Sequence, residues 1–513
     1  MIGVDDVRFG EPAKPCSGQQ DCSGSDAQDP HVCREGKCVA LFDRRPETPA
    51  DAGTPEDREG SCRRLIGAEN LREDAPPPFL FGALSSPGEP EDHPAVLNYE
   101  LAVRQLTGEG GIEIEGAQHV PVGVVCDVSS GVELDRTFDH LTRDLGIQAI
   151  VTPLHEAELE RSFERLFWTQ GRPVFLLSPG LSTQRLADID DAGMLWHVLG
   201  PASDIAATYP PLIRRVTDYL HRLRPEGERP PLRLALLSSR RGEDLEIADS
   251  IASMLAQSTN TGDEFYRRYT LEDPELDDHR SYVSTSLALL SFRPHVIVAI
   301  DDDEFVYNLL RPLENGWAHI AGGQEQPFWV LSHHQQGSVA LMRLLTQFPT
   351  LAERVVGVAP RVARGTLLYE AYVNQLRSEN SRRDDVEGAS NFFDASYFLL
   401  FAAAAAGDVE RLSGASIAAG MPRLIEGEAF DMWSSQVQTA LEALHDRSTS
   451  IALRGTFGLP DFDPATGARL YAEGSVWCVT LERNDRVSFH YDALKLDASK
   501  SAVIGSLGCF PGF

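Results

Sequence analysis

The sequence predicts an α/β protein made of two doubly wound lobes, each with its own parallel sheet. Three observations predict it. Short β-branched or apolar runs alternate with amphipathic stretches from Phe79 onward. The alternation is interrupted by the Pro-rich segment Arg224–Pro231 and then restarts. One stretch, Gly146–Thr183, holds a complete strand–helix–strand unit. In it, Ile147–Thr152 has the composition of a buried strand and stops at Pro153. Leu159, Phe163 and Leu166 then fall on one helical face, Gly171 and Pro173 punctuate, and Val174–Leu177 is the second strand. Such strands are parallel with a right-handed crossover, and open sheets of this kind bind ligands at the carboxyl ends of their strands. Two loops stand at those ends, Thr152–His155 and Ser178–Thr183.

The remaining elements follow in chain order. Phe79–Ser85 is the first strand, and it runs into Ser86-Pro87-Gly88. A helix covers Ala95–Leu106, with Val96, Tyr99 and Val103 on one face. After the glycine turn Gly108–Ile112 comes the strand Val120–Cys126. The next helix carries Leu134, Phe138, Leu141 and Leu145 on one stripe. Leu195–Leu199 is a further strand, Ser203-Asp204 an N-cap, and the helix beyond runs toward Leu223. In the second half, strands are expected at Leu232–Ser238, Phe265–Tyr269, Val296–Ile300 and Phe328–Leu331. Helices are expected at Leu245–Leu255, around Ser284–Leu290, and from Asp301-Asp302-Asp303 through Leu310. Val355–Val358 reads as a strand, Leu367–Leu376 as a helix and Arg377–Gly388 as a charged loop. Asn391–Gly407 is a strong helix closed by its terminal glycine, and Ala415–Leu424 is another. Val476–Leu481 and Val487–Tyr491 form a hairpin around Glu482–Asp485.

Composition narrows the function. Asp plus Glu outnumber Lys plus Arg by 77 to 46, a net charge of −31, so the chain lacks the basic face that nucleic-acid binding requires. The longest apolar run, Tyr397–Ala406, falls far short of the roughly 20 residues of a membrane span. No basic and apolar leader opens the sequence. The eight cysteines are Cys16, Cys22, Cys33, Cys38, Cys62, Cys126, Cys478 and Cys509. Four of them cluster between positions 16 and 38 in a segment, residues 1–42, with almost no aliphatic content, so cross-links rather than a core must hold it. A zinc site is the rival, but C-x5-C-x10-C-x4-C lacks paired CxxC knuckles. An even count in this pattern points to disulfides and to an exported, periplasmic or extracellular protein whose signal was removed or whose start was placed late; a lipid anchor before processing is compatible with that. Residues 43–61, rich in Pro, Asp and Glu, read as an extended linker.

Several stretches, in order, resemble the type I periplasmic binding proteins, specifically the leucine/isoleucine/valine-binding and receptor ligand-binding family. They are FLFGALSSPG at Phe79–Gly88, GEGGIEIEG at Gly108–Gly116, DLGIQAIVTP at Asp144–Pro153 and LWHVLGPASD at Leu195–Asp204. NFFDASYFLLFAAAAAG at Asn391–Gly407 and GTFGLPDFDPATGAR at Gly455–Arg469 complete the series, which spans about residues 75–495. The resemblance implies two lobes joined by three crossings, here near Arg224–Pro231, Val358–Thr366 and Ile451–Gly458, and a cleft that closes on a ligand. It assigns 75–224 and 366–450 to the first lobe and 232–357 and 459–500 to the second. It implies capture of a small, amino acid-like solute for a membrane transporter of the ABC type or for a sensor.

Carried over by position, the ligand-contacting residues of the first lobe are Thr152, Leu154, His155, Ser178, Leu181, Ser182 and Thr183. Hydroxyls and helix N-terminal N–H groups can hold a carboxylate without a full cation. Where the family has small residues after its Gly-Pro, this chain has Leu154, His155 and Glu156, which crowd and recharge the pocket and argue against a branched-chain amino acid. In the second lobe Asp301 or Asp302 can meet an ammonium group, and Ser332 occupies the next strand end. The plain alternatives are helix capping by Ser178, Ser182 and the Asp-Asp-Asp run. His333-His334 is discounted as a metal pair, because adjacent residues point apart on a strand and no HxxxH pattern accompanies them. Cys62 with Cys126, and Cys478 with Cys509, are the favoured pairings; buried thiols are the alternative. No GxSxG, GxxxxGK[ST] or strand-to-helix GxGxxG occurs, so neither an enzyme nor a cofactor is expected. A degenerate envelope scaffold or adhesion protein with no ligand is the second function class.

Overall fold

The strands form because runs such as Val296–Ile300 and Ala149–Val151 bury every side chain, which only a sheet covered on both faces allows. The architecture was obtained as a computed structural model. It describes residues 15, 22, 31–34, 37–42, 61–71, 78–85, 94–114, 116–127, 131–224, 231–258, 264–271, 280–320, 325–379, 386–407, 412–482, 486–497, 502–505 and 508–510. The expectations for Cys16, for Ser86-Pro87-Gly88 and for most of the linker 43–61 lie outside these residues. So do those for the greater part of Arg224–Pro231, for the middle of Arg377–Gly388 and for Arg483–Asp485.

In the first sheet the strands Ala117–Asp127, Pro78–Ser85, Ala149–Val151, Phe175–Ser178 and Leu195–His197 lie side by side in that order, all parallel. Cys62–Ile66 and Ile112–Ile114 add antiparallel edges to Ala117–Asp127, neither of which the sequence pattern announced. The second sheet repeats the plan with Tyr266–Thr270, Leu234–Ser238, Val296–Ile300, Phe328–Leu331 and Val355–Pro360. Three antiparallel strands extend it, Gly474–Leu481, Val487–Asp497 and Ala502–Gly505. Its two faces are distinct, as the two-residue period of a strand requires: Ala235, Leu237, Ile297 and Ala299 enter one apolar cluster, while Leu236, Val296, Val298 and Ile300 enter the other.

Helix Ser390–Ala405 explains its own composition. It is buried on nearly every side in the first lobe's core, so Phe, Leu and Ala are tolerated all round. Gly407, at φ 71°, ends it in the left-handed conformation. Gly420 touches its flank so closely that a Cβ there would overlap the Ala402 carbonyl.

Two crossings differ from the expected places. Helices Ala202–Ala206 and Tyr209–Arg222 bury Ile205, Leu212, Ile213 and Val216 against the second sheet, and Arg215 donates to the Val503 carbonyl oxygen at 3.1 Å. The first crossing is therefore Val198–Pro201, before those helices, and not Arg224–Pro231; the boundary drawn at residue 224 falls too late. A Pro-rich break marks the end of a helix but carries no information about which sheet the helix covers. Asp204 caps no helix; Pro201 occupies the N-cap, and Asp204 Oδ2 accepts the Ala472 N–H at 3.0 Å. Likewise Phe462 packs in the first lobe's core against Trp196 and Phe398, and the His197 N–H donates to the Gly467 carbonyl at 2.9 Å. The third crossing is thus Ala472-Glu473, beyond Ile451–Gly458. The middle crossing, Arg361–Thr366, runs beside it through Arg361 N–H to Glu473 O at 2.7 Å.

Disulfides join Cys22 to Cys38, Cys62 to Cys126 and Cys478 to Cys509, and Cys33 is also disulfide-bonded. Among the described residues no helix is long and apolar enough to cross a membrane.

Candidate functional site

The carboxyl ends of both parallel sheets face one another across a cleft. Contacts that bridge it come from the first turns after the strands. The rings of His155 and His334 lie 6.4 Å apart edge to face. Gln184 N–H donates to Glu246 Oε2 at 2.8 Å, and Gly242 sits directly against the Glu156 carboxylate. The short loops after each strand are held by the sheet, which is why the polar groups at their tips can be both buried and aimed.

On the first-lobe side, Thr152, Ser178, Ser182 and Thr183 are all buried. Thr152 Oγ1 has no hydrogen-bond partner among the described residues. Ser178 Oγ accepts the Gly180 N–H at 3.1 Å and so shapes its own turn. Ser182 is tied by its backbone to Gly200. Thr183 is the helix N-cap, accepting the Leu186 N–H at 3.2 Å and donating to Glu156. His155 holds the N-cap position of helix Glu156–Phe163 without a side-chain capping bond. Leu154 packs on the first lobe's core, whereas Leu181 is buried in the cluster that reaches the second sheet.

On the second-lobe side, Asp301 is 2% exposed; its Oδ1 accepts the Asp302 N–H at 2.9 Å and its Oδ2 has no partner among the described residues. Burial, reinforced by Asp244 and Asp302, raises Asp301 well above the usual carboxylate range. Asp302 accepts the Glu304 N–H as a helix cap at 2.8 Å and pairs with Arg241. Ser332 Oγ donates to the Asp301 carbonyl at 3.1 Å, and Gln335 Nε2 donates to the same oxygen at 2.7 Å.

The structure adds residues that the sequence argument passed over. Glu243 and Asp244 follow the strand Leu234–Ser238 and face His333 and His334. His334 Nε2 lies 3.1 Å from Asp244 Oδ1, and Ser239 Oγ donates to Asp244 Oδ2 at 2.7 Å. Burial opposes charge on His334, but Asp244 and Glu243 overcome it and raise its pKa well above the ordinary value. Burial, with His334 beside it, pushes His333 down to about 4. Burial likewise pushes His197 down to about 4; neither of its ring nitrogens has a partner among the described residues. The strand-end rule led to Asp301, Asp302 and Ser332 after two strands of the second half; applied also to Leu234–Ser238, it leads to Glu243 and Asp244. His333 and His334 stand in a 3₁₀ turn, His333–Gln335, not on a strand, so the reason for discounting them as a pair does not hold.

The crossings border a separate pocket of about 330 Å³, lined among others by Leu199, Arg361, Phe457, Arg469 and Tyr471. Beneath it Asp394 accepts the Thr456 N–H at 2.9 Å and the Phe457 N–H at 3.3 Å, tying helix Ser390–Ala405 to the last return of the chain.

No family model matches the sequence, and no curated protein is similar to it in sequence. Solved structures are similar in architecture. A leucine-binding protein from Thermotoga maritima is 12% identical, with 83% of this chain and 99% of that chain covered and a TM-score of 0.55. A possible leucine/isoleucine/valine-binding protein from Rhodopirellula baltica is 11% identical over 81% and 96%, at 0.56. A solute-binding protein of an ABC transporter from Rhodopseudomonas palustris, solved with 3,4-dihydroxybenzoic acid, is 11% identical over 82% and 99%, at 0.53. With two 2-1-3-4-5 parallel sheets joined by three crossings, the chain has the type I periplasmic binding fold.

Proposed function

We propose that this chain is an extracytoplasmic solute-binding protein that holds a small, amino acid-like ligand between its lobes by an ammonium group. The observation that carries the reading is Asp301, a buried carboxylate with one oxygen unpartnered among the described residues, directly after the strand Val296–Ile300. A buried anion without a partner is unfavourable, and a ligand cation relieves it. Glu156, Glu243, Asp244 and Asp302 make the same surroundings acidic, while Arg241 is engaged by Asp302. Buried hydroxyls at Thr152, Ser178 and Ser182 supply the neutral polar contacts. The disulfides support an oxidising compartment, and the leucine-binding and aromatic acid-binding neighbours support solute capture for an ABC-type transporter or a sensor.

The test is thermal unfolding of the full chain against amino acids, amines and simple carboxylic acids. A ligand that binds only the native state raises Tm by mass action. A saturable rise is expected with an ammonium-bearing solute, and it should vanish in Asp301→Asn. A rise with acids that lack an amine, or undiminished binding by Asp301→Asn, would overturn the ammonium reading. No response to any compound would favour the envelope scaffold.

A further inference from the structure

One cluster in the second lobe enters the solute-binding reading only through the charge of its carboxylates, and its histidines not at all. Glu243, His333 and His334 each bring a donor atom to within 4.8 Å of the others. We propose that Glu243 Oε1, His333 Nε2 and His334 Nε2, with Asp244 Oδ1 beside them, bind a divalent transition-metal cation of the zinc class. The inference goes beyond solute binding and does not depend on it.

The spacing suits such a cation. Two ligands at zinc-bond length around a tetrahedral centre stand about 3.4 Å apart. Here His334 Nε2 is 3.3 Å from Glu243 Oε1 and 3.1 Å from Asp244 Oδ1, and His333 Nε2 is 3.9 Å from Glu243 Oε1. The 3₁₀ turn lets consecutive histidines face the same way, with rings 4.0 Å apart and inclined by 35°. An ordinary ion pair explains only half of this. His334 has carboxylate partners, but the His333 ring makes no hydrogen bond among the described residues, and its Nδ1 is buried. A second imidazole turned to the same carboxylate without bonding it is accounted for if both serve one cation.

Charge and support agree. Once a cation displaces the proton that Asp244 and Glu243 favour on His334, two neutral imidazoles and two carboxylates carry a charge that one divalent cation cancels. The mixed nitrogen and oxygen donors favour zinc, cobalt or nickel over magnesium or calcium. Ser239 Oγ fixes Asp244 through Oδ2 and leaves Oδ1 turned to His334, the outer hydrogen bond that orients a ligating carboxylate. The donors ride on turns after Leu234–Ser238 and Phe328–Leu331, the two strands flanking Val296–Ile300, so the sheet sets their separation.

The experiment uses the full chain freed of metal by a chelator and titrated with Co²⁺, read by its visible d–d absorption, and then with Zn²⁺ as competitor. The expected result is one equivalent of Co²⁺ with a tetrahedral-type spectrum, displaced by Zn²⁺. His333→Ala and Glu243→Gln should each abolish it, Ser239→Ala should weaken affinity about tenfold, and His490→Ala, paired with Thr480 elsewhere on the sheet, should change nothing. In parallel, Zn²⁺ should protect His333 and His334 of the unaltered protein from diethyl pyrocarbonate, which keeps the test independent of how the variants fold. Absence of a stoichiometric cobalt spectrum, a spectrum indifferent to both His333→Ala and Glu243→Gln, or protection confined to other histidines would each overturn the assignment.

Discussion

Asp394→Asn is expected to reshape the pH dependence of stability in a calculable way. Asp394 is fully buried where helix Ser390–Ala405 meets the return at Thr456-Phe457. Burial raises its pKa from 3.8 to about 6, although the two backbone N–H groups and the Arg469 guanidinium pull the other way. A carboxyl whose folded pKa lies above its unfolded value stabilises the fold fully below the unfolded pKa and loses that contribution as pH rises through the folded pKa. The shift of about two units corresponds to about 3 kcal/mol, lost between about pH 4 and pH 7. Asparagine is neutral throughout, so the variant lacks this loss. It faces the Phe457 N–H with a donor, an offset of about 1 kcal/mol that does not change with pH. Every other ionisable group is shared by the two proteins and cancels in the difference. Urea unfolding followed by circular dichroism at a series of pH values gives that difference directly. The variant should gain about 3 kcal/mol on the wild type between about pH 4 and pH 7. Parallel profiles, with a constant difference, would refute the claim that Asp394 is strained by its ionisation.

Three further outcomes are expected. Arg354→Ala leaves Glu314, itself 5% exposed, without the guanidinium that approaches it to 2.7 Å, and should lower stability by about 3–5 kcal/mol in urea unfolding; a loss within experimental error would refute the dependence of this buried acid on Arg354. Replacing both Cys62 and Cys126 by alanine opens a link between residues 64 apart in sequence, with an expected loss of up to about 4 kcal/mol and a lower Tm; an unchanged Tm would contradict the chain-entropy account. Gly242→Val places a side chain where the Glu156 carboxylate lies, so that carboxylate must swing away from Thr183 and Tm should fall; an unchanged Tm would show that the Thr183–Glu156 contact adds no stability.

The sequence alone determined much of this architecture. Alternating apolar runs and amphipathic stretches identified the parallel strands Pro78–Ser85, Ala149–Val151, Phe175–Ser178, Val296–Ile300 and Phe328–Leu331, and the helix Ser390–Ala405, because side-chain period is a local property of the chain. The loops at the strand ends were legible for the same reason, whereas Thr152 and Ser178 were singled out by the family resemblance and not by periodicity. Cysteine arithmetic suggested the pairings Cys62–Cys126 and Cys478–Cys509, which coincide with the observed bonds.

Only the tertiary structure decided which sheet each element covers. Tyr209–Arg222 shows an apolar stripe in sequence, but its placement on the second sheet, and with it the first crossing at Val198–Pro201, depends on burial against strands far along the chain. The turn Phe462–Arg469 joins the first lobe for the same cause, through Trp196 and Phe398. The cluster of Glu243 and Asp244 with His333 and His334 could not be read from spacing, since it is assembled by two strands of one sheet rather than by one helix or one loop. Periodicity tells a residue which way to face; only the packing of distant segments tells it what it will find there.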